Sequence, residues 1–156
     1  MARILGIDPG LGGALALWDS DLGALQVQDM PVHVIKIGKS SKRVLDEVTL
    51  ADMVRTAAPE RAVCEWVHAM PKQGVTSVFT FGVAFGVVRG ILAACHVPVT
   101  YVTPQSWQKA MRVPLGKDGS RQRATQLLPA YAHCFVRSRD NGRSDAALIA
   151  LANVSV

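Results

Sequence analysis

Gly6-Ile7-Asp8-Pro9-Gly10-Leu11-Gly12, set between the apolar runs Ile4-Leu5 and Ala14-Leu15-Ala16-Leu17-Trp18, decides how the rest of the chain is read. An apolar run, a glycine-rich turn and a second apolar run predict a β-hairpin that opens a domain. Asp8 is the discordant residue. Aspartate is depleted in strands and seldom buried alone, yet Asp8 ends a strand of apolar residues. Its carboxylate caps the turn amides of Gly10 or Gly12, pairs with another group, or holds a cation.

Working outward, residues 3–8 and 13–18 are predicted strands, and 25–30 alternates well enough for a third. The segment 31–43 contains glycine, serine and lysine without a clear period. It predicts a mobile loop able to order on a phosphate backbone. Leu50, Met53, Val54 and Ala57 fall at helical spacing, predicting a helix over about 49–58 that Pro59 stops. Arg61-Ala62-Val63-Cys64-Glu65-Trp66-Val67 then reads as a short apolar strand holding one acid. An unpaired carboxylate in such a strand is costly or becomes protonated. Glu65 is therefore salt-bridged to an arginine or belongs to a site. On two strands of a parallel or mixed sheet, Asp8 and Glu65 can share the end at which open α/β sheets bind ligands.

A loop, His68-Ala69-Met70-Pro71-Lys72-Gln73-Gly74, follows Glu65 and leads into a predicted helix over about 76–95. Gly82, Gly86 and Gly90 recur there every four residues, on one stripe. Each costs about 1 kcal/mol against alanine in a helix interior. The stripe predicts close approach of another backbone, either the chain's own sheet or a second subunit. Val97–Val102 is the last predicted strand, and Thr103 caps a helix with Pro104 at its first position. A further helix over 120–128 presents Arg121 and Arg123. The segment from Asp140 to Ala152 predicts a turn opening an apolar helix, with Asp145 in the first turn, where the macrodipole favours an anion.

At 156 residues, 49% hydrophobic and 19% charged, the chain is expected to form one domain over 1–156 with a substantial core. No run of about 18 uncharged apolar residues predicts a membrane span, and Arg3 leads straight into a strand, so no signal peptide is expected. Cys64, Cys95 and Cys134 are far apart in apolar surroundings, which predicts buried free thiols in a reducing cytoplasm. A formal charge of +5 and a pI near 9.5 point to an anionic partner. The basic residues cluster: Lys36, Lys39, Lys42 and Arg43; Lys109, Arg112, Lys117, Arg121 and Arg123; Arg137, Arg139 and Arg143. Such clusters favour nucleic acid.

Two strand ends and a helix start can bring Asp8, Glu65 and Asp145 together. Carboxylates crowded at one point repel unless a divalent cation joins them. Hard oxygen donors without paired Cys or His indicate Mg²⁺, with Mn²⁺ able to substitute. A basic protein with such a site is most economically a phosphoryl-transfer enzyme acting on nucleic acid.

Five motifs in order carry a resemblance over nearly the whole chain: GIDPG around Asp8, CEWVHAMPKQG around Glu65, FTFGVAFGVVRG, TPQSWQK, and GRSDAALIALA around Asp145. With them the chain resembles the RuvC-type Holliday junction resolvases of the RNase H-like superfamily, most closely their short phage-encoded members. The resemblance implies an α/β fold with a mixed five-stranded sheet flanked by helices. It also implies a homodimer, for which the Gly82, Gly86 and Gly90 stripe is the expected interface, and Mg²⁺-dependent paired nicking of a four-way DNA junction. Asp8, Glu65 and Asp145 match its metal ligands. The family places a further acid or histidine shortly before the last aspartate. Here Gly142 stands three residues before Asp145 and Asn141 four, and Asp140 is the acid available. Asp140 is thus the candidate fourth catalytic acid and Asn141 the candidate fourth ligand, through its carbonyl. His68, three residues after Glu65, matches a junction-stacking position or is a solvent-exposed loop histidine. Lys72, Lys109, Lys117, Arg121, Arg123 and Arg143 are the expected DNA contacts. The implied setting is the cytoplasm of a bacterial cell or phage-infected host. Two other functions fit the same features: an RNase H-like nuclease acting on RNA or a hybrid, and a junction-binding protein that does not cut.

Overall fold

The computed structural model describes residues 2–152. β1 (Arg3–Asp8), β2 (Ala14–Asp19) and β3 (Ala24–Asp29) form an antiparallel meander. β4 (Val32–Ile37) and β5 (Ser40–Leu45) form a separate two-stranded ribbon, and α1 (Glu47–Ala57) follows. β6 (Arg61–Glu65), α2 (Val75–Ala94) and β7 (Val99–Val102) complete the strands. The remaining helices are α3 (Pro104–Ala110), α4 (Gly119–Leu127) and α5 (Asn141–Leu151), with 3₁₀ turns at Pro129–Phe135 and Ser138–Asp140. The main sheet has the order β3-β2-β1-β6-β7, with β6 parallel to both β1 and β7.

Strand alternation sorts the apolar residues into two cores. Leu5, Ile7, Leu15, Leu17, Ala62 and Cys64 face α1 and α2, against Leu50, Val54, Phe85, Val88 and Leu92. Ile4, Ala14, Ala16 and Val63 face the other way, against Trp107, Ala124, Phe135 and the Ala146–Ile149 stretch of α5. Asp8 shares the parity of Ile4, and Glu65 that of Val63. Both acids therefore belong to the α5 side of the sheet.

Three local expectations need correction. Residues 31–43 do not form a loop: the β4–β5 ribbon turns at Gly38-Lys39 between the paired Ile37 and Ser40. Gly38 has φ +60°, the left-handed conformation that glycine reaches at no steric cost. Helix α1 begins two residues before Thr49, because the Asp46 carboxylate accepts from the Thr49 N–H at 3.0 Å and caps it. Asp145 is the fifth residue of α5, beyond its first turn, since the helix already begins at Asn141.

By length and composition alone α2 could cross a membrane; Ala84, Phe85, Val88 and Leu92 lie in the core, while most of the helix is not buried. Its glycines do not pack on the chain's own sheet: among the described residues, a Cβ added at Gly82, Gly86 or Gly90 would meet nothing within 4 Å. Phe79 and Val83 on the same stripe are exposed. Cys64 is a buried free thiol as expected, whereas Cys95 and Cys134 are only partly buried.

Candidate active site

Asp8 is the last residue of β1 and Glu65 the last of β6. The parallel register pairs Ile7 with Cys64, so the next step along both strands puts Asp8 beside Glu65, on the same face. Each is fixed locally. The Gly10 N–H points at Asp8 Oδ1 at 3.5 Å, a long and weak bond. The Trp107 indole N–H donates to Glu65 Oε2 at 2.6 Å, from a fully buried ring on α3. Turn capping of Asp8 is thus present but slight, and Glu65 takes an indole donor in place of an arginine.

The third acid arrives through glycine. A Cβ on Gly6 would stand 2.1 Å from the Ala146 carbonyl oxygen and 2.5 Å from the Ala150 nitrogen. One on Gly142 would stand 2.5 Å from the Gly12 carbonyl oxygen. α5 therefore lies directly on β1 and on the turn after Asp8, a contact open only to residues without a side chain. Asp145, between Gly142 and Ala146, is carried to the edge of the same cluster.

The electrostatics record the crowding. Burial, with the nearby Asp145 and Glu65 carboxylates, pushes Asp8 from 3.8 up to about 7. Burial also raises Glu65, against the opposing Trp107 hydrogen bond, and Asp145 raises it further. Burial raises Asp145, against a hydrogen bond from Ser120 on α4. Three mutually repelling carboxylates with hard oxygen donors suit a divalent cation. Among the described residues no three His, Cys, Asp or Glu side chains close round one ion position. Glu65 and Asp145 instead turn to Trp107 and Ser120, so the donor set fits an ion by its chemistry and would have to redirect those bonds.

Other predicted residues lie elsewhere. Asp140 is only 2% exposed. Arg137 donates to both its oxygens, at 2.8 Å from Nη2 and 3.2 Å from Nε, and Arg143 stands 3.9 Å away. These arginines hold its carboxyl below the usual range, and the three central acids do not engage it. Asn141 lies one turn before Asp145, on the same helix face. Its Oδ1 accepts from Arg121 Nε at 3.0 Å.

The expected arginine contacts are largely engaged within the chain. Arg121 also donates to the Val136 carbonyl at 2.8 Å and pairs with Asp118. Arg123 donates to the Met111 carbonyl at 2.6 Å. Arg143 makes a two-pronged bond to Asp29 at 2.6 and 2.7 Å, which raises its pKa further. His68, Lys72, Lys109 and Lys117 are exposed. His68 and Lys72 lie in the loop between β6 and α2, and Lys72 has φ +69°.

Of the contributors to the site that carry no acid, Trp107, Ser120 and Gly142 do not stand out in the sequence. Trp107 lies in the TPQSWQK motif, which by itself gives the indole no role. Gly6, inside a buried strand, is the readable signal, because glycine there marks close approach of another backbone.

No family model and no curated protein sequence matches the chain. Solved structures do. A structure described as T. thermophilus RuvC in complex with Holliday junction substrate matches 97% of this chain and 92% of its own, at 18% identity and TM-score 0.60. A second Thermus thermophilus RuvC structure matches 94% and 91%, at 18% identity and TM-score 0.58. The yeast mitochondrial Holliday junction resolvase Ydc2 matches 96% and 76%, at 15% identity and TM-score 0.56. The chain has the RuvC-type, RNase H-like fold that its motifs implied.

Proposed function

We propose that this protein is a metal-dependent endonuclease that resolves four-way or otherwise branched DNA by paired nicking. The observation that carries the reading is the gathering of Asp8, Glu65 and Asp145 at the strand ends of this fold. The likeness to a RuvC bound to a Holliday junction substrate supports the choice of DNA.

Asp8, Glu65 and Asp145 would hold Mg²⁺ or Mn²⁺, with Asn141 offering a carbonyl oxygen one turn from Asp145. When bound, such ions activate water and stabilise the leaving oxygen of a phosphodiester. The protein's own part is positional. Trp107 orients Glu65 and Ser120 orients Asp145. Lys109 and Lys117, exposed on the α3–α4 side, would take backbone phosphates, with Lys72 and His68 on the neighbouring loop. Asp140 serves instead as the buried anchor of Arg137. The open glycine stripe of α2 supports a homodimer, whose two-fold axis would present two sites to two opposed strands.

The family carries an acid or a histidine shortly before the last aspartate, and the neutral Gly142 and Asn141 there favour a second reading, a junction-binding protein that does not cut. An end-labelled synthetic junction with and without Mg²⁺, beside an RNA–DNA hybrid, separates the possibilities. Nicking of the junction that needs Mg²⁺ and vanishes in Asp8→Asn, with binding kept or tightened, is the expected result. Tight binding without nicking by the native chain would support the second reading, and preferential cutting of the hybrid an RNase H-like activity.

A further inference from the structure

The strand register of the β4–β5 ribbon makes it a directed basic surface. Val34 pairs with Arg43 and Lys36 with Ser41, so Arg43 and Lys36 share one face. Ile35 and Lys42 share the other face, which borders α2 along a groove whose rim Arg43 also reaches. The Arg43 face borders a cleft of about 390 Å³. Arg137, Arg139 and Arg143 approach it from the opposite wall, with Asp29 and Asp140 among them.

The charges there do not cancel. Asp29 is taken by Arg143, and Asp140 by Arg137. Arg43 and Arg139 are exposed and make no hydrogen bond or ion pair among the described residues. Four arginines against two aspartates leave a net charge of +2 in the cleft. Gly12 and Gly13, in the turn after Asp8, form part of the same lining. A Cβ on Gly13 would stand 2.1 Å from the Asp8 carbonyl oxygen. The cleft therefore begins where the candidate catalytic turn ends.

We propose that the β4–β5 ribbon is a DNA-holding arm. Arg43 on the ribbon and Arg139 across the cleft each take a backbone phosphate of the duplex arm that leaves the active site, and Lys36 extends the track along the ribbon. Successive same-face residues advance about 7 Å along a strand, which carries the track from Arg43 toward the ribbon tip. The partner is the phosphate backbone of a duplex: charge complementarity selects it, and two exposed guanidinium groups without internal partners supply the donors. This inference rests on the nucleic-acid reading of the site and adds a second binding surface to it.

The test is anisotropy of a fluorescein-labelled four-way junction, and of a linear duplex with the sequence of one arm, titrated in EDTA over a range of salt. Arg43→Ala with Arg139→Ala should weaken binding to both probes roughly tenfold and lower the salt slope by about 2, one counterion for each phosphate that is no longer neutralised. Both side chains are exposed and unpartnered, so the melting temperature should stay at the native value. Arg43→Lys should restore part of the affinity, because it keeps the charge. Native affinity and native salt slope in the double variant would overturn the proposal. So would a weakening confined to the junction, which would move the binding surface to the crossover. If the native chain ignores both DNA probes and binds an RNA–DNA hybrid, the resolvase reading fails. The same variants on the hybrid then decide the arm separately, by the same change in slope.

Discussion

The Cβ that Gly6 lacks would lie 2.1 Å from the carbonyl oxygen of Ala146. Backbone rests on backbone at that point, so the distance from β1 to α5 is set by atoms that cannot change rotamer. Asp145, next to Ala146, inherits its place relative to Asp8 from this approach.

Gly6→Ala should accordingly push α5 away from β1. Overpacking of this kind costs about 1–3 kcal/mol, and two backbone atoms within 2.5 Å put the site at the upper end of that range. Urea unfolding should show a lower midpoint, and junction nicking should fall further than stability does. A native midpoint together with native nicking would mean that α5 is not held at Gly6.

The raised pKa of Asp8 gives the metal-free protein a specific pH dependence. With a folded value of about 7 against 3.8 unfolded, the folded state binds the extra proton between roughly pH 4 and 7. Stability should therefore fall as pH rises through that window. The raised values of Glu65 and Asp145 act in the same sense. The lowered value of Asp140 acts oppositely, its contribution being lost as pH falls toward and through its folded pKa. Thermal melts in EDTA from pH 5 to pH 8 should show the decline, and Asp8→Asn should flatten it. An unchanged slope in that variant would remove Asp8 as its source.

Asn141→Asp should raise Mg²⁺ affinity and the nicking rate, since it adds a full charge one turn from Asp145. Asp140→Ala should lower stability by leaving Arg137 without its carboxylate, and should affect nicking at saturating Mg²⁺ less than Asp145→Ala does. A Mg²⁺ titration of nicking for the three variants measures this. Slower cutting by Asn141→Asp, with the fold intact, would mean that the neutral amide and its bond to Arg121 belong to a working site.

Most strands, the long helix and the three acids are legible in the sequence because alternation and helical spacing survive in the letters. Asp8 and Glu65 each close a run of buried apolar residues, which makes them conspicuous. The ribbon is not legible, because a strand reading Ser-Ser-Lys-Arg has little apolar signal and its partner is largely solvent-facing. Asp140 is hidden for a different reason. Arg137 stands three residues before it, yet a basic cluster points to an external anion and masks an internal one. Arg121 and Arg143 point outward on the same logic, although long-range partners such as Asp29, 114 residues away from Arg143, leave no local trace.

Gly86→Leu should separate the protomers if the open stripe of α2 is a dimer seam. A Cβ at this position would meet nothing within 4 Å among the described residues, so the isolated fold should tolerate the change. Sedimentation of the native chain should give a dimer, and the variant a monomer that cuts one strand only. A monomeric native chain, free and on DNA, would rule the seam out.

The bond between Trp107 and Glu65 also makes the site optically readable. Trp107 is fully buried, whereas Trp18 and Trp66 are partly or openly exposed, so the blue side of the emission belongs mainly to the one indole that touches a candidate ligand. Were Glu65 to turn toward an ion, that indole would give up the negative charge at its N–H, and its emission should change without any added label. A titration of Mg²⁺ against native-chain emission, in the absence of DNA and of any cutting, would then report cation occupancy.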